Sequence, residues 1–148
     1  MLTEETIITL ANGIRKKIGQ LVDTYKEDKT YRAITYNIQE SVKENKTITN
    51  FIKKERTSDI IMFLVQCNGE LIQLTCTNDH SIFIKSKNEY VKAEDVNEND
   101  TLVTWYNNEI SEGTVFKKVN VPRKIKYVYD LNIEENNNMF ANGILVYN

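Results

Sequence analysis

The sequence has few of the residues that mark several common classes of protein. Its 148 residues include one proline, one tryptophan, one histidine and two cysteines, Cys67 and Cys76, and it contains no CxxC pair. Two cysteines without such spacing do not indicate a disulfide framework, and one histidine does not supply the ligands of a zinc site. We therefore expect no metal and no other cofactor.

Long apolar runs and strong charge of one sign are also missing. Hydrophobic residues make up 41% of the chain, yet no run approaches the length of a membrane helix. The formal net charge is -2 with both signs interleaved, which argues against a nucleic-acid or membrane surface. The acidic start at residues 2–5 does not match a signal peptide. We expect one cytoplasmic domain over residues 1–148, monomeric, without nucleic-acid or membrane partners.

Short strand-like segments separated by Asn-Gly pairs are the main feature that is present. Both residues tolerate the positive φ of tight turns, so each pair predicts a hairpin. The pairs are Asn12-Gly13, Asn68-Gly69 and Asn142-Gly143. The predicted strands are residues 6–10, 31–38, 60–65, 71–75, 82–84, 101–105, 125–133 and 144–146, with a short helix within 14–25. This pattern is typical of a mainly β domain.

The polar stretch at residues 107–113 interrupts this series and predicts a surface loop. A loop of this kind is where an insertion would be tolerated.

Asn148 follows the closing apolar strand, and an asparagine side chain has chemistry of its own. Its carboxamide can attack its own main-chain carbonyl, closing a succinimide and breaking the next peptide bond. The amide nitrogen is a poor nucleophile, so the reaction needs a fold that holds it in position and stabilises the oxyanion. Asn148 is either the site of that reaction or simply the last residue of the chain.

His80 is the one side chain with an unperturbed pKa near neutrality. It closes the segment Thr77-Asn78-Asp79-His80 at the end of a predicted hairpin strand. A single histidine is often only a packed or surface residue, but this position makes His80 a candidate acid–base group.

These segments together resemble an intein, the self-splicing element of the hedgehog/intein (Hint) fold. Four segments carry the resemblance, in the family's order and over nearly the whole chain: residues 1–13, the TxxH motif at 77–80, and two C-terminal motifs at 128–131 and 142–148. Residues 90–96 are also similar to a family segment, with Asn99 where the family has glycine. The resemblance implies a compact, horseshoe-like, mainly β fold with short helices. The length is that of a mini-intein, with residues 107–113 where an endonuclease insertion or a split would fall.

The resemblance implies that the chain excises itself and joins its own flanking segments, the exteins. The steps would be an acyl shift by the first residue, transesterification and cyclisation of Asn148. This is single-turnover autocatalysis rather than multiple-turnover enzymology. Met1 stands where the family has a cysteine or serine, and a thioether cannot serve as the nucleophile. The chain is therefore expected to be inactive as written. Met1 is a replacement of that nucleophile, an added initiator, or a natural absence.

The resemblance also assigns roles to other residues. Thr77 and His80 would polarise the amide that joins the upstream flank to residue 1, with His80 carrying its proton. Asp130 would lie near both scissile bonds, unless it is only an exposed carboxylate on a strand edge. Tyr147 and Asn137 stand where the family often has histidines. Neither titrates near neutral pH, so each could support Asn148 only by hydrogen bonding.

Three other hypotheses address parts of the same sequence. The chain could be the fused form of a split intein, or a β-rich binding module that has lost the reaction and would leave the bond after Asn148 intact. A cysteine-protease pair of Cys76 and His80 is disfavoured, because free cysteines are usually buried and the strand brings the two to no common site.

Overall fold

The structure is a computed structural model that describes all residues from Met1 to Asn148. The strands are β1 (Ile7–Thr9), β2 (Arg15–Lys17), β3 (Arg32–Asn37), β4 (Val42–Glu55), β5 (Ile60–Cys67), β6 (Glu70–Thr77), β7 (Ser81–Ile84), β8 (Glu89–Lys92), β9 (Thr101–Tyr106), β10 (Glu109–Val121), β11 (Tyr127–Ile133), β12 (Asn138–Ala141) and β13 (Ile144–Tyr147). One α-helix, α1 (Ile18–Thr24), and two short 3-10 helices at Lys85–Lys87 and Ala93–Asp95 complete the fold. The predicted mainly β class is confirmed.

Two antiparallel sheets build the protein. The larger has the strand order β2-β1-β12-β13-β7-β9-β10-β5-β6, with β8 paired to β7, and the smaller has the order β11-β4-β3. The seven-residue helix α1 is the longest helix, so no helix could cross a membrane.

The central strands of the larger sheet are buried on both faces. In β13, Ile144 and Val146 belong to the main core, whereas Leu145 packs into a second cluster with residues such as Tyr36 and Phe140. Ile144, Leu145 and Val146 have no exposed surface. A strand covered on both sides needs apolar residues at every position, which explains the continuous run in the sequence.

Three Asn-Gly turns form as predicted. Asn68-Gly69 joins β5 to β6 and Asn142-Gly143 joins β12 to β13, and all four of these residues have positive φ. Gly13, between β1 and β2, has a φ of +83°.

Some sequence predictions need correction. The stretch 107–113 is not a loop of seven residues: Asn107 and Asn108 alone make a two-residue turn, and Glu109 to Gly113 pair with β9 as the start of β10. The short helix predicted within 14–25 is present as α1, but the start of that stretch is a strand, because Arg15–Lys17 pair with β1 as β2. Hydrogen bonding to a neighbouring strand outweighs local preference in both cases.

Candidate functional site

Residues 1 and 2 lie between the two sheets, in the space between β11 and β6. The amide of Leu2 donates to the carbonyl of Tyr129 at 2.7 Å, and the amide of Tyr129 donates back at 2.8 Å. On the other side, the amide of Thr77 donates to the carbonyl of Met1 at 2.9 Å. Leu2 forms antiparallel bridges with Tyr129 and Cys76, so the next pair in each register is Met1 with Asp130 and Met1 with Thr77.

The Met1 amine contacts the threonine and the histidine that define the TxxH motif, Thr77 and His80. It donates to Oγ1 of Thr77 at 2.9 Å and lies 2.7 Å from Nδ1 of His80. Both side chains are buried. Burial lowers the pKa of this amine below its usual 8.0, although the charge of Asp130 opposes the shift.

His80 is neutral at physiological pH. Its burial, reinforced by the positive charge of the Met1 amine, holds the pKa of the imidazole well below 6.5. A protonated amine has no free lone pair and can only donate to Nδ1, and the proton of the neutral ring then resides on Nε2. Nε2 is buried and has no hydrogen-bond partner.

Asp130, the register neighbour of Met1, is a partly buried carboxyl. Burial raises its pKa from 3.8 to about 6. This rise is opposed by the charge of the Met1 amine, by the hydrogen bond from the Leu131 amide and by the charge of Lys54. The Leu131 amide donates to Oδ1 of Asp130 at 2.8 Å. With a pKa of about 6, Asp130 can take up or release a proton near neutral pH.

The last strand, β13, pairs with β7, which begins directly after His80. Val146 pairs antiparallel with Ile82 of β7, and the same register extended two residues past the strand ends would set Asn148 opposite His80. The amide of Asn148 donates to the carbonyl of Asn137 at 3.1 Å. Nδ2 of Asn148 is buried and, like Nε2 of His80, has no partner.

Two of the predicted site residues make contacts other than those expected. Asn137 supports Asn148 through its main-chain carbonyl, whereas its side chain is exposed and donates to the carbonyl of Glu135 at 3.2 Å. The ring of Tyr147 is 43% exposed and packs edge-on against Tyr90, with centroids 4.9 Å apart.

Sequence reasoning missed the residues that support this end of the site. The Tyr90 hydroxyl accepts a hydrogen bond from Nδ2 of the fully buried Asn138 at 3.1 Å, and the Tyr90 ring packs against Tyr147. Tyr90 thus links Asn138 to Tyr147. Lys54 is a further cation whose charge acts on both the Met1 amine and Asp130. No motif indicated Asn138 or Lys54, and the family-like segment at residues 90–96 gave Tyr90 no role, since each contact joins segments that are distant in the sequence.

Cys76 cannot act as a nucleophile in this fold. It has no exposed surface, and burial raises the pKa of its thiol to about 12. The protease reading that the sequence disfavoured therefore has no support here.

Comparison with solved structures identifies the fold. The chain superimposes on an intein from a hyperthermophile with a TM-score of 0.82 and 17% identity, covering 99% of this chain and 98% of that one. A DnaB intein from Synechocystis gives a TM-score of 0.77 at 17% identity, with 99% and 96% covered.

A bacterial intein-like domain from Clostridium thermocellum gives a TM-score of 0.77 at 21% identity, covering 99% of this chain and 97% of that domain. No protein-family model and no curated protein matches the sequence. The chain thus has the hedgehog/intein fold, with the length of a mini-intein.

Proposed function

We propose that this protein is a protein-splicing element that removes itself from a precursor and joins its two flanks. One observation carries the proposal. The nitrogen of residue 1 is hydrogen-bonded to His80, and the β13–β7 register, extended by two residues, directs Asn148 toward the same histidine. This arrangement supports a reaction in which both broken bonds lie beside one buried imidazole. The partners of the reaction are the flanking segments themselves.

At the upstream junction, the free amine of Met1 stands in for the amine that leaves during the acyl shift. In a precursor this nitrogen is the amide that links residue 1 to the upstream flank. A nucleophile at position 1 attacks the carbonyl of that amide, and the nitrogen must gain a proton as the C–N bond breaks. Thr77 and His80 contact this nitrogen, and Asp130, with its pKa of about 6, adjoins it in register.

Methionine at position 1 prevents this step. Its thioether has no proton to lose and forms no stable thioester, so the sequence as given does not splice. The rest of the site keeps the arrangement that the reaction needs. A cysteine at position 1 would supply the missing thiol.

At the downstream junction, Asn148 cyclises. Its Nδ2 attacks its own carbonyl carbon, the bond to the following residue breaks, and the proton from Nδ2 passes to the departing amine. The Asn148 amide is fixed by the carbonyl of Asn137, and Nδ2 is desolvated without a competing partner. Both conditions favour the attack geometry.

The test is a Met1→Cys chain placed between two folded flanking proteins, with cysteine as the first downstream residue. We expect intact mass spectrometry to find the ligated flanks and the free 148-residue element. The control, Met1→Cys with Asn148→Ala, should stop at a branched or thioester-linked species. An unprocessed precursor from the Met1→Cys chain would contradict the proposal and favour a binding module that shares the fold.

A further inference from the structure

Two side-chain nitrogens are the buried polar atoms that lack a partner in this protein, and both lie at the site. They are Nε2 of His80 and Nδ2 of Asn148. Desolvating a polar atom without a hydrogen bond is unfavourable, so such atoms commonly face a group that is bound or formed during function. The pairing of Val146 with Ile82, continued by two residues, would set the two residues opposite each other.

The other nitrogen of His80 is already occupied. Nδ1 accepts from the nitrogen of residue 1, which leaves Nε2 as an N–H donor. Nδ2 of Asn148 is also a donor. Two donors cannot hydrogen-bond to each other, so Nε2–H requires an acceptor near Asn148 rather than its side-chain nitrogen.

The side chains of the other two residues predicted to support Asn148 are engaged elsewhere. His80 is the sole histidine of the sequence. The side chain of Asn137 is exposed and donates to Glu135, and the ring of Tyr147 packs against Tyr90. The main-chain carbonyl oxygen of Asn148 is the acceptor that becomes negatively charged when cyclisation begins.

We propose that in a precursor, where a peptide bond follows Asn148, the unpartnered Nε2–H of His80 donates a hydrogen bond to the main-chain carbonyl oxygen of Asn148, so that one imidazole serves both junctions. This inference rests on the proposed splicing function. Nδ2 forms the new C–N bond, the carbonyl electrons move onto the oxygen held by His80, and their return expels the downstream amine, which takes the Nδ2 proton. His80 keeps its own proton and stabilises the oxyanion.

The Met1 chain is suited to the test, because its upstream chemistry is blocked and release of a downstream flank reports on Asn148 alone. The chain is followed by a small folded protein, and release is timed by intact mass. His80→Gln places an amide near the position of Nε2, whereas His80→Asn places it near Nδ1. We expect His80→Gln to retain release within about tenfold of wild type and His80→Asn to lose on the order of 100-fold.

A change in the same turn serves as the matched control. Asn78 contributes main-chain hydrogen bonds to Asp59 and Glu94, and Asn78→Ala keeps them, so we expect release at the wild-type rate. Thermal melting of all variants shows whether each is folded. Because His80→Gln and His80→Asn both disturb the buried site, a purely structural role would slow both alike.

Three results would overturn the inference. The first is release from His80→Asn at the wild-type rate, and the second is equal loss in His80→Gln and His80→Asn. The third is a wild-type chain that releases no flank, since Asn148 would then not cyclise without the earlier steps. If the Met1→Cys chain also fails to splice, the proposed function falls as well. If the Met1→Cys chain does splice, the proposed function stands and only the role of His80 at Asn148 is contradicted.

Discussion

The carboxamide of Asn138 pairs with both backbone groups of Tyr36. Its Oδ1 accepts from the Tyr36 amide at 2.9 Å, and its Nδ2 donates to the Tyr36 carbonyl at 2.8 Å. Asn138 lies on β12 of the larger sheet and Tyr36 on β3 of the smaller one, so a single side chain extends hydrogen bonding from one sheet to the other.

Asn138→Ala should therefore destabilise the protein strongly. The change leaves the amide and carbonyl of Tyr36 and the hydroxyl of Tyr90 without their partner, and we expect a loss of about 3 kcal/mol in the free energy of unfolding. Urea denaturation measures it. The control is Asn132→Ala, which removes an exposed hydrogen bond from Asn50 and should cost about 0.5 kcal/mol or less. Similar losses in the two variants would contradict the bridging role.

The buried carboxyl of Asp130 should make stability depend on pH. Its pKa is about 6 in the folded protein against 3.8 ordinarily, so the folded state binds the proton more tightly. The stabilisation from protonation is fully present below pH 3.8 and is lost as pH rises through about 6. His80 acts with the opposite sign, because burial lowers its pKa and folding then disfavours its protonation.

The difference between wild type and Asp130→Asn isolates the carboxyl. Wild type should gain stability relative to Asp130→Asn on lowering the pH from 7.5 to 5, by about 1 kcal/mol after allowing for partial exposure. Denaturant unfolding at the two pH values checks it. A constant difference would mean that Asp130 titrates near its ordinary value in the folded protein.

The sequence was informative where local chemistry decides the structure. Asn-Gly pairs located three turns, because few residues other than Asn and Gly adopt positive φ readily. Continuous apolar runs located the doubly buried strands. The long strands β4 and β10 were not predicted, because few of their residues are buried: Ile48 alone in β4, and Gly113 and Val115 in β10. Such strands are fixed by hydrogen bonds to their neighbours rather than by an alternating apolar pattern.

The site residues also differ in whether the sequence could identify them. Thr77, His80 and Asp130 could be singled out because they belong to recognisable short segments. Asn138 lies in no such segment, and Tyr90 lies in the segment 90–96 without a predicted role. The contact between them forms only in the fold. The orientation of Asn137, whose carbonyl rather than side chain faces Asn148, also depends on its positive φ of 51°. Residue type alone does not predict it.

The turn at Asn107 and Asn108 should accept an inserted segment. Both residues are exposed and have positive φ, which is the geometry of a hairpin tip. We expect a flexible insertion of about 20 residues between them to cost about 2 kcal/mol, mainly from loop closure. Circular dichroism and thermal melting of the inserted chain provide the measurement.

The same insertion between Asn142 and Gly143 is the control, and it should prevent folding. Asn142 accepts from the amide of Ile7 and donates to the carbonyl of Gln73, both at 2.7 Å, so this turn is anchored on two sides. Equal tolerance at the two turns would show that neither anchor matters. Failure at 107–108 alone would argue against that turn as a natural insertion or split position.

Gly143 and Gly69 provide a paired test of close packing against backbone strain. Their φ angles are nearly the same, +80° and +79°, so alanine meets similar strain at either position. The surroundings differ: a Cβ on Gly143 would lie 2.8 Å from the main-chain carbonyl oxygen of Trp105, whereas nothing lies within 4 Å of one on Gly69. The Trp105 amide also donates to the Gly143 carbonyl at 2.8 Å, so the two backbones cannot separate freely.

Gly69→Ala should therefore cost about 1 kcal/mol, which is the strain of positive φ alone, and Gly143→Ala about 3 kcal/mol. Since Gly143 begins the hairpin that carries Asn148, the Gly143 variant should also slow release of a downstream flank, while Gly69→Ala should not. Denaturant unfolding and the flank-release assay measure the two effects separately. Equal stability losses would imply that β13 shifts away from Trp105 at little cost, and the position of Asn148 opposite His80 would then not depend on this contact.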